Sequence, residues 1–105
     1  MEIEKGRKYL SKYRALVLKI GRLRAMKSIN PEKAGAYENE IEKCTAVRDK
    51  IEEEIERTDG GILSEILAQK YICGRSLEEI ALIIGYCKRQ TERLHLKAIE
   101  RFCPA

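Results

Sequence analysis

Along residues 3 to about 28, apolar side chains recur at steps of four and three: Tyr9, Tyr13, Leu16, Ile20 and Leu23, with Leu10 and Val17 widening the stripe. That spacing puts them on one face of a helix of about 3.6 residues per turn and predicts a single long amphipathic helix. Gly6 and Gly21 lower its intrinsic propensity without erasing the pattern. Near Ser28 and Ile29 the helix should stop, because Asn30 and Pro31 read as an N-cap followed by proline at the first position of the next helix. The stripe of that second helix is Tyr37, Ile41, Cys44, Val47, Ile51 and Ile55, close to a heptad, with Glu42, Glu52, Glu53, Glu54 and Glu56 largely on the other side. Asp59, Gly60 and Gly61 end it.

Three shorter elements follow. Ile62, Leu63, Ile66 and Leu67 predict a helix running to about Ile72, with Gly74 closing it. Ser76 ahead of Leu77, with Glu79 three residues after the serine, is the pattern of a capping box, and predicts a helix from Leu77 to about Ile84. Gly85 suits a tight turn. A last helix then runs from about Lys88 to Phe102, before Pro104.

These elements predict an all-α fold in two parts: a long antiparallel helical hairpin over residues 1–59 and a three-helix unit over residues 60–105. At 1.5 Å per residue each hairpin helix is about 40 Å long, whereas a compact chain of this size has a radius of gyration near ~13 Å. The hairpin should therefore project from, or fold along, the smaller unit. Its apolar edges are either consumed by packing of the two helices on each other or left open for self-association or a partner helix, and with self-association a homo-oligomer, most simply a dimer, is expected.

Charge adds a second pattern. The 105 residues carry a net charge of +4, too little to establish a polyanionic partner. Its distribution says more: residues 1–28 are net +7, residues 29–59 net −5, and residues 86–105 net +3. Two basic segments flank an acidic one, which either packs on the first helix and partly neutralises it or keeps that surface solvated.

Metal and disulfide chemistry find little support. The four cysteines, at 44, 73, 87 and 103, lack the short paired spacing of a zinc site, and His95 is the only histidine. Cys44 and Cys73 suit small apolar core positions. The opening MEIEKGRKYL lacks a long apolar signal segment, so the cytosol is the expected compartment. Apolar runs such as Ile80 to Gly85 are far too short to span a membrane, and no membrane partner is expected. No cofactor is expected either, since no Walker loop, dinucleotide fingerprint or pair of catalytic acids is present. His95 lacks a recognisable nucleophile and base around it, which favours a helical surface or groove-edge role. The five tyrosines fit helix seams better than a stacking platform for bases. The chain is not expected to be an enzyme.

The informative stretch is Ser76 to Phe102. Ala81 leaves room for two helices to cross closely, Gly85 allows the chain to reverse, and Ile80, Ile84, Leu94, Ala98 and Ile99 can share a core. Lys88, Arg89, Glu92 and Arg93 then stay available to a major groove, the arrangement of a helix-turn-helix. The segment SLEEIALIIGYCKRQTERLHLKAIERF resembles region 4 of the sigma-70 family and related small phage and prophage-encoded regulators, through Leu77, Ile80, Ala81, Gly85, Leu94 and Ala98 and the preceding KYICGRS. The resemblance covers about residues 62–102. It departs from the family at Cys87, where a small hydroxyl cap is usual, and at Thr91, where the usual residue is apolar.

What the resemblance implies is a helix-turn-helix whose second helix, here Lys88 to Lys97, enters the major groove of duplex DNA. Lys88 and Arg89 suit phosphate or base-edge contacts, and Arg93 suits bidentate donation to guanine O6 and N7. Gln90 suits adenine or phosphate, while Glu92 suits cytosine N4 or the orientation of Arg93. Lys97 and Arg101 suit phosphate or solvent, and the backbone N–H groups near Ser76 suit a phosphate at the N-terminus of the first motif helix. A transcriptional regulator acting on double-stranded DNA is the expected function. A protein-interaction module that binds RNA polymerase or another regulator without touching DNA is the alternative. The ordinary reading of the basic side chains is a solvated helix face.

Overall fold

The computed structural model describes residues 1–104, which form five α-helices and no strand. The first, α1 (Ile3–Ile29), is followed by one 3-10 turn at Pro31–Lys33 and by α2 (Ala34–Glu56). Pairings along the two helices fix their relative direction. Tyr9 Oη donates to Glu54 at 2.5 Å, Tyr13 donates to Glu52, Lys19 pairs with Glu40 at 2.9 Å and Lys27 with Glu38 at 2.6 Å. Partners on α2 descend in number as those on α1 ascend, so the helices are antiparallel and the acidic helix lies against the basic one.

Two expectations about this hairpin need correction. Asn30 makes no side-chain cap; its N–H instead bonds Met26 O at 2.8 Å, so the residue closes α1, and Pro31 opens a 3-10 turn before the α-helix proper. Glu54 does not sit on the polar side of α2. It is 1% exposed, beside Tyr9, whose phenol is pushed up to about 12 by burial and by this carboxylate. Burial of a carboxylate demands such a hydrogen-bond donor.

Asp59 organises the next corner. Its carboxylate accepts from the N–H groups of Gly61, Leu63 and Ser64 at 2.7, 3.1 and 2.9 Å, satisfying donors at the start of α3 (Ile62–Leu67). Burial acts to raise its pKa, but the N–H groups prevail and hold the acid below its ordinary range. The final part of this element widens into a π-helical turn over Ala68–Ile72, where Cys73 N–H reaches back five residues to Ala68 O at 3.0 Å. Cys73 itself is exposed, not a core residue as its apolar character suggested. Beyond it lie α4 (Leu77–Ile84) and α5 (Lys88–Arg101).

Most of the apolar interior is one cluster at the open end of the hairpin. Leu10 and Tyr13 of α1, Ile51 and Ile55 of α2, Leu63, Leu67 and Tyr71 of the third element, and Ala98, Ile99 and Phe102 from α5 and its end meet there. Gly6 permits the approach of α1 to α5: a Cβ at this position would stand 2.4 Å from Ile99 Cγ2. Nearer the tip, a smaller cluster buries Ile20, Leu23, Ile41 and Cys44, with the half-buried Leu16 and Tyr37 packed against it. Val17 and Val47 lie outside both clusters and remain exposed. The outcome is elongated, 52 × 27 × 22 Å with a radius of gyration of 16.0 Å, as the lengths of the hairpin helices require. No helix among the described residues is long and apolar enough to cross a membrane.

Candidate nucleic-acid interface

The candidate interface is built on α4 and α5. At the start of α4, Ser76 Oγ accepts from Glu79 N–H at 3.2 Å and the Glu79 carboxylate accepts from Ser76 N–H at 3.2 Å, completing the capping box. The exchange also engages Ser76 Oγ with Glu79 Oε1 at 3.1 Å, so the serine's own N–H and hydroxyl are already committed. At the other end Gly85 adopts φ 76°, a left-handed conformation that favours glycine, and its N–H bonds Ala81 O. Ile80 and Ala81 are buried, whereas Leu82 and Ile83 point away from the core.

Cys87 and Thr91, at the start of α5, are locally competent. Cys87 Sγ accepts from Gln90 N–H at 3.4 Å, so the thiol takes the place of a hydroxyl cap on α5. Thr91 is fully buried at the core position, and its hydroxyl donates to Cys87 O at 2.9 Å. A buried hydroxyl satisfied by the preceding turn avoids the desolvation cost of an unpaired one.

With Thr91, His95, Ala98 and Ile99 facing inward, helical phase directs Arg89, Arg93 and Lys97 outward, at successive steps of four. All three are exposed, and none has a carboxylate partner among the described residues. Lys88 lies apart from this row, paired with Glu78 of α4 at 2.9 Å. That hydrogen bond holds the lysine above its ordinary pKa and the glutamate below. Gln90 is exposed on one flank, while Glu92 on the other lines a small cleft with Arg7 and Leu96. Of the residues singled out from the sequence, Arg89, Arg93 and Lys97 thus form one surface, with Gln90 and Glu92 on its flanks; Lys88 is tied to α4, and Ser76 sits at the N-terminus of α4, next to the cleft-lining Leu77, apart from the row.

His95 is not at a surface or groove edge. It is 2% exposed, its Nε2 is 2.9 Å from Tyr71 Oη, and the rings stack with centroids 5.8 Å apart. Burial, with Lys70 and Arg7 nearby, pushes its pKa down to about 4, so the ring is neutral at pH 7. The signal for this placement was its position four residues after Thr91 and four before Ile99. Tyr86 is likewise not in a helix seam, being exposed in the turn between α4 and α5. Comparison of the chain with protein-family models, curated proteins and solved structures finds no match in any of the three.

Proposed function

We propose that the chain is a sequence-specific regulator of transcription that binds duplex DNA in the cytosol, with α4 and α5 acting as a sigma region 4-like helix-turn-helix and α5 entering the major groove. The observation that carries this reading is the division of α5 into a sealed inner face and an outer row of three unpaired cations, Arg89, Arg93 and Lys97. An exposed helix backed by a rigid core can present side chains to base edges, and unpaired cations are free to replace counterions at phosphate. Two copies would address a repeated or two-fold site. Leu18 and Ile29, 73% and 74% exposed on α1 and about three turns apart on the same face, supply an apolar surface for the homodimer.

A second reading draws on a different feature. Leu82, 85% exposed, with Ile83 and Tyr86 beside it, forms an apolar surface on α4 and the following turn that suits a protein partner such as a polymerase subunit. Selection of bound fragments from a random duplex library at near-physiological salt separates the two. Under the DNA-binding reading one motif is enriched, and Arg89→Ala with Arg93→Ala abolishes the enrichment while the helical circular-dichroism spectrum is retained. Absence of any enriched motif from the folded protein would transfer the weight to the protein-docking surface.

A further inference from the structure

On the side of α5 away from the row of cations lies a cleft of about 540 Å³ between α1, the π-helical turn and the start of α4. Its lining includes Arg7, Ser11, Arg14, Lys70, Tyr71 and His95, and no carboxylate. Three cations therefore converge on one cavity from two parts of the chain distant in sequence. Arg14 is held in place: Nη1 donates to Ile72 O at 3.0 Å, and the guanidinium lies over Gly74. Lys70 has no carboxylate partner among the described residues, and the Nζ is 5.9 Å from the centre of the Tyr71 ring. Among the described residues Arg7 has a single carboxylate contact, 3.7 Å from Glu4 and between two well-exposed groups, an arrangement that solvent weakens.

We propose that this cleft binds a small phosphorylated molecule, with Arg7, Arg14, Lys70 and the Ser11 hydroxyl around the phosphate and the Tyr71–Leu77 wall against the organic body. Phosphate matches this donor set because its oxygens can accept from several donors at once, and arginine meets them in paired fashion. The volume lies within the range of small-molecule sites, about 300 to 1,000 Å³. Duplex DNA fits less well. Residue 95 is turned about 200° around the helix axis from residue 93, so a duplex lying on Arg93 is on the far side of α5 from this cleft. The basicity of His95 is depressed first by burial and then by the charges of Lys70 and Arg7, and it is this smaller, electrostatic part that an anion in the cleft would relieve. Other charged groups near the imidazole are few: Glu92 lines the adjoining cleft, of about 260 Å³, which shares Arg7, Leu77 and His95.

Because the cations belong to α1 and to the π-helical turn, a bound phosphate would link the hairpin to the C-terminal helices. The site does not depend on DNA binding, and its test does not use DNA as the readout. His95 is the single histidine of the chain, so its ring resonances in NMR report the cleft without ambiguity. Inorganic phosphate and pyrophosphate, titrated into the 105-residue chain at pH 7 and constant ionic strength, are expected to shift those resonances saturably, and saturating pyrophosphate should raise the His95 pKa. Lys70→Gln, which removes no hydrogen bond, should weaken binding by about tenfold; Arg14→Gln should do the same, and Lys97→Gln should leave binding unchanged. A response no larger than that to chloride, or equal affinity in Lys70→Gln, overturns the proposal. So does a His95 response to duplex DNA in the absence of any response to the two phosphates, which would assign the cleft to a nucleic-acid surface.

Discussion

The two ends of the hairpin are built from the same kind of apolar stripe but are held differently. At the open end, side chains from α1, α2, the third element and α5 close on Leu10, Ile51, Ile55, Leu67 and Ile99, each 1% exposed or less. Toward the tip, only α1 and α2 meet, and Ile20, Leu23, Ile41 and Cys44 retain 2 to 7% exposure beside ion pairs at the rim. A two-helix seam can cover one face of each helix and no more. Stability in this chain therefore resides where α5 is docked, so α5 is inseparable from the core, whereas the tip is held by the seam of α1 and α2 alone.

The largest expected effect tests that contrast directly. Phe102 is fully buried and its ring lies 5.7 Å from that of Tyr9. Phe102→Ala should cost about 3 to 5 kcal/mol, and Ile41→Ala near the tip about 2 kcal/mol, because the two-helix seam can collapse around the smaller side chain. Urea unfolding measures both. Equal losses would show that the tip is as firmly closed as the base.

Acid should act through the base rather than the tip. His95 has a pKa of about 4 in the fold against an ordinary value near 6.5. A histidine with a lowered folded pKa contributes stability that is fully present above about pH 6.5 and lost as pH falls toward 4, since the unfolded chain then takes up the proton first. The loss should reach about 2 to 3 kcal/mol. His95→Gln, which can still hydrogen-bond Tyr71, should flatten this part of the stability profile while Ile41→Ala preserves it.

Two glycines of α1 sharpen the comparison. At Gly6 a Cβ would stand 2.4 Å from Ile99 Cγ2, so Gly6→Ala must displace the Ile99 side chain or α5 with it and should cost about 1 to 3 kcal/mol. At Gly21 nothing lies within 4 Å of the added atom, and Gly21→Ala should stabilise the helix by about 0.5 to 1 kcal/mol. Thermal denaturation should therefore move in opposite directions for the same substitution on the same helix.

These glycines also mark where sequence reading stops. Both appeared only as weak points in a helical stripe, because propensity is local and the approach of Ile99 is not. The stripe positions Leu10, Tyr13, Ile20 and Leu23 were legible, since period alone assigns a face. Depth was not: Glu54 and His95 are buried because Tyr9 and Tyr71, 45 and 24 residues distant, supply their hydrogen bonds. At the candidate interface, the capping box at Ser76 and the outward phase of Arg89 and Arg93 followed from spacing within one helix. The pairing of Lys88 with Glu78 depended on how α4 crosses α5, and the cleft of Arg7, Arg14 and Lys70 on how α1 docks against α5 and the π-helical turn.

The smallest expected effect lies at the tip. Lys19 and Glu40 are joined at 2.9 Å, and each lends the other a pKa shift, the lysine upward and the glutamate downward. Both side chains are about two-fifths exposed, so water and salt screen the attraction and the ordering of two long side chains offsets much of it. Glu40→Gln should move the urea midpoint only slightly at low salt and not measurably at high salt. A large, salt-resistant loss would mean that the rim of acidic and basic side chains, rather than Ile20, Leu23 and Ile41, holds the tip closed, and the distinction between a packed base and a loosely seamed tip would then be one of chemistry rather than of strength.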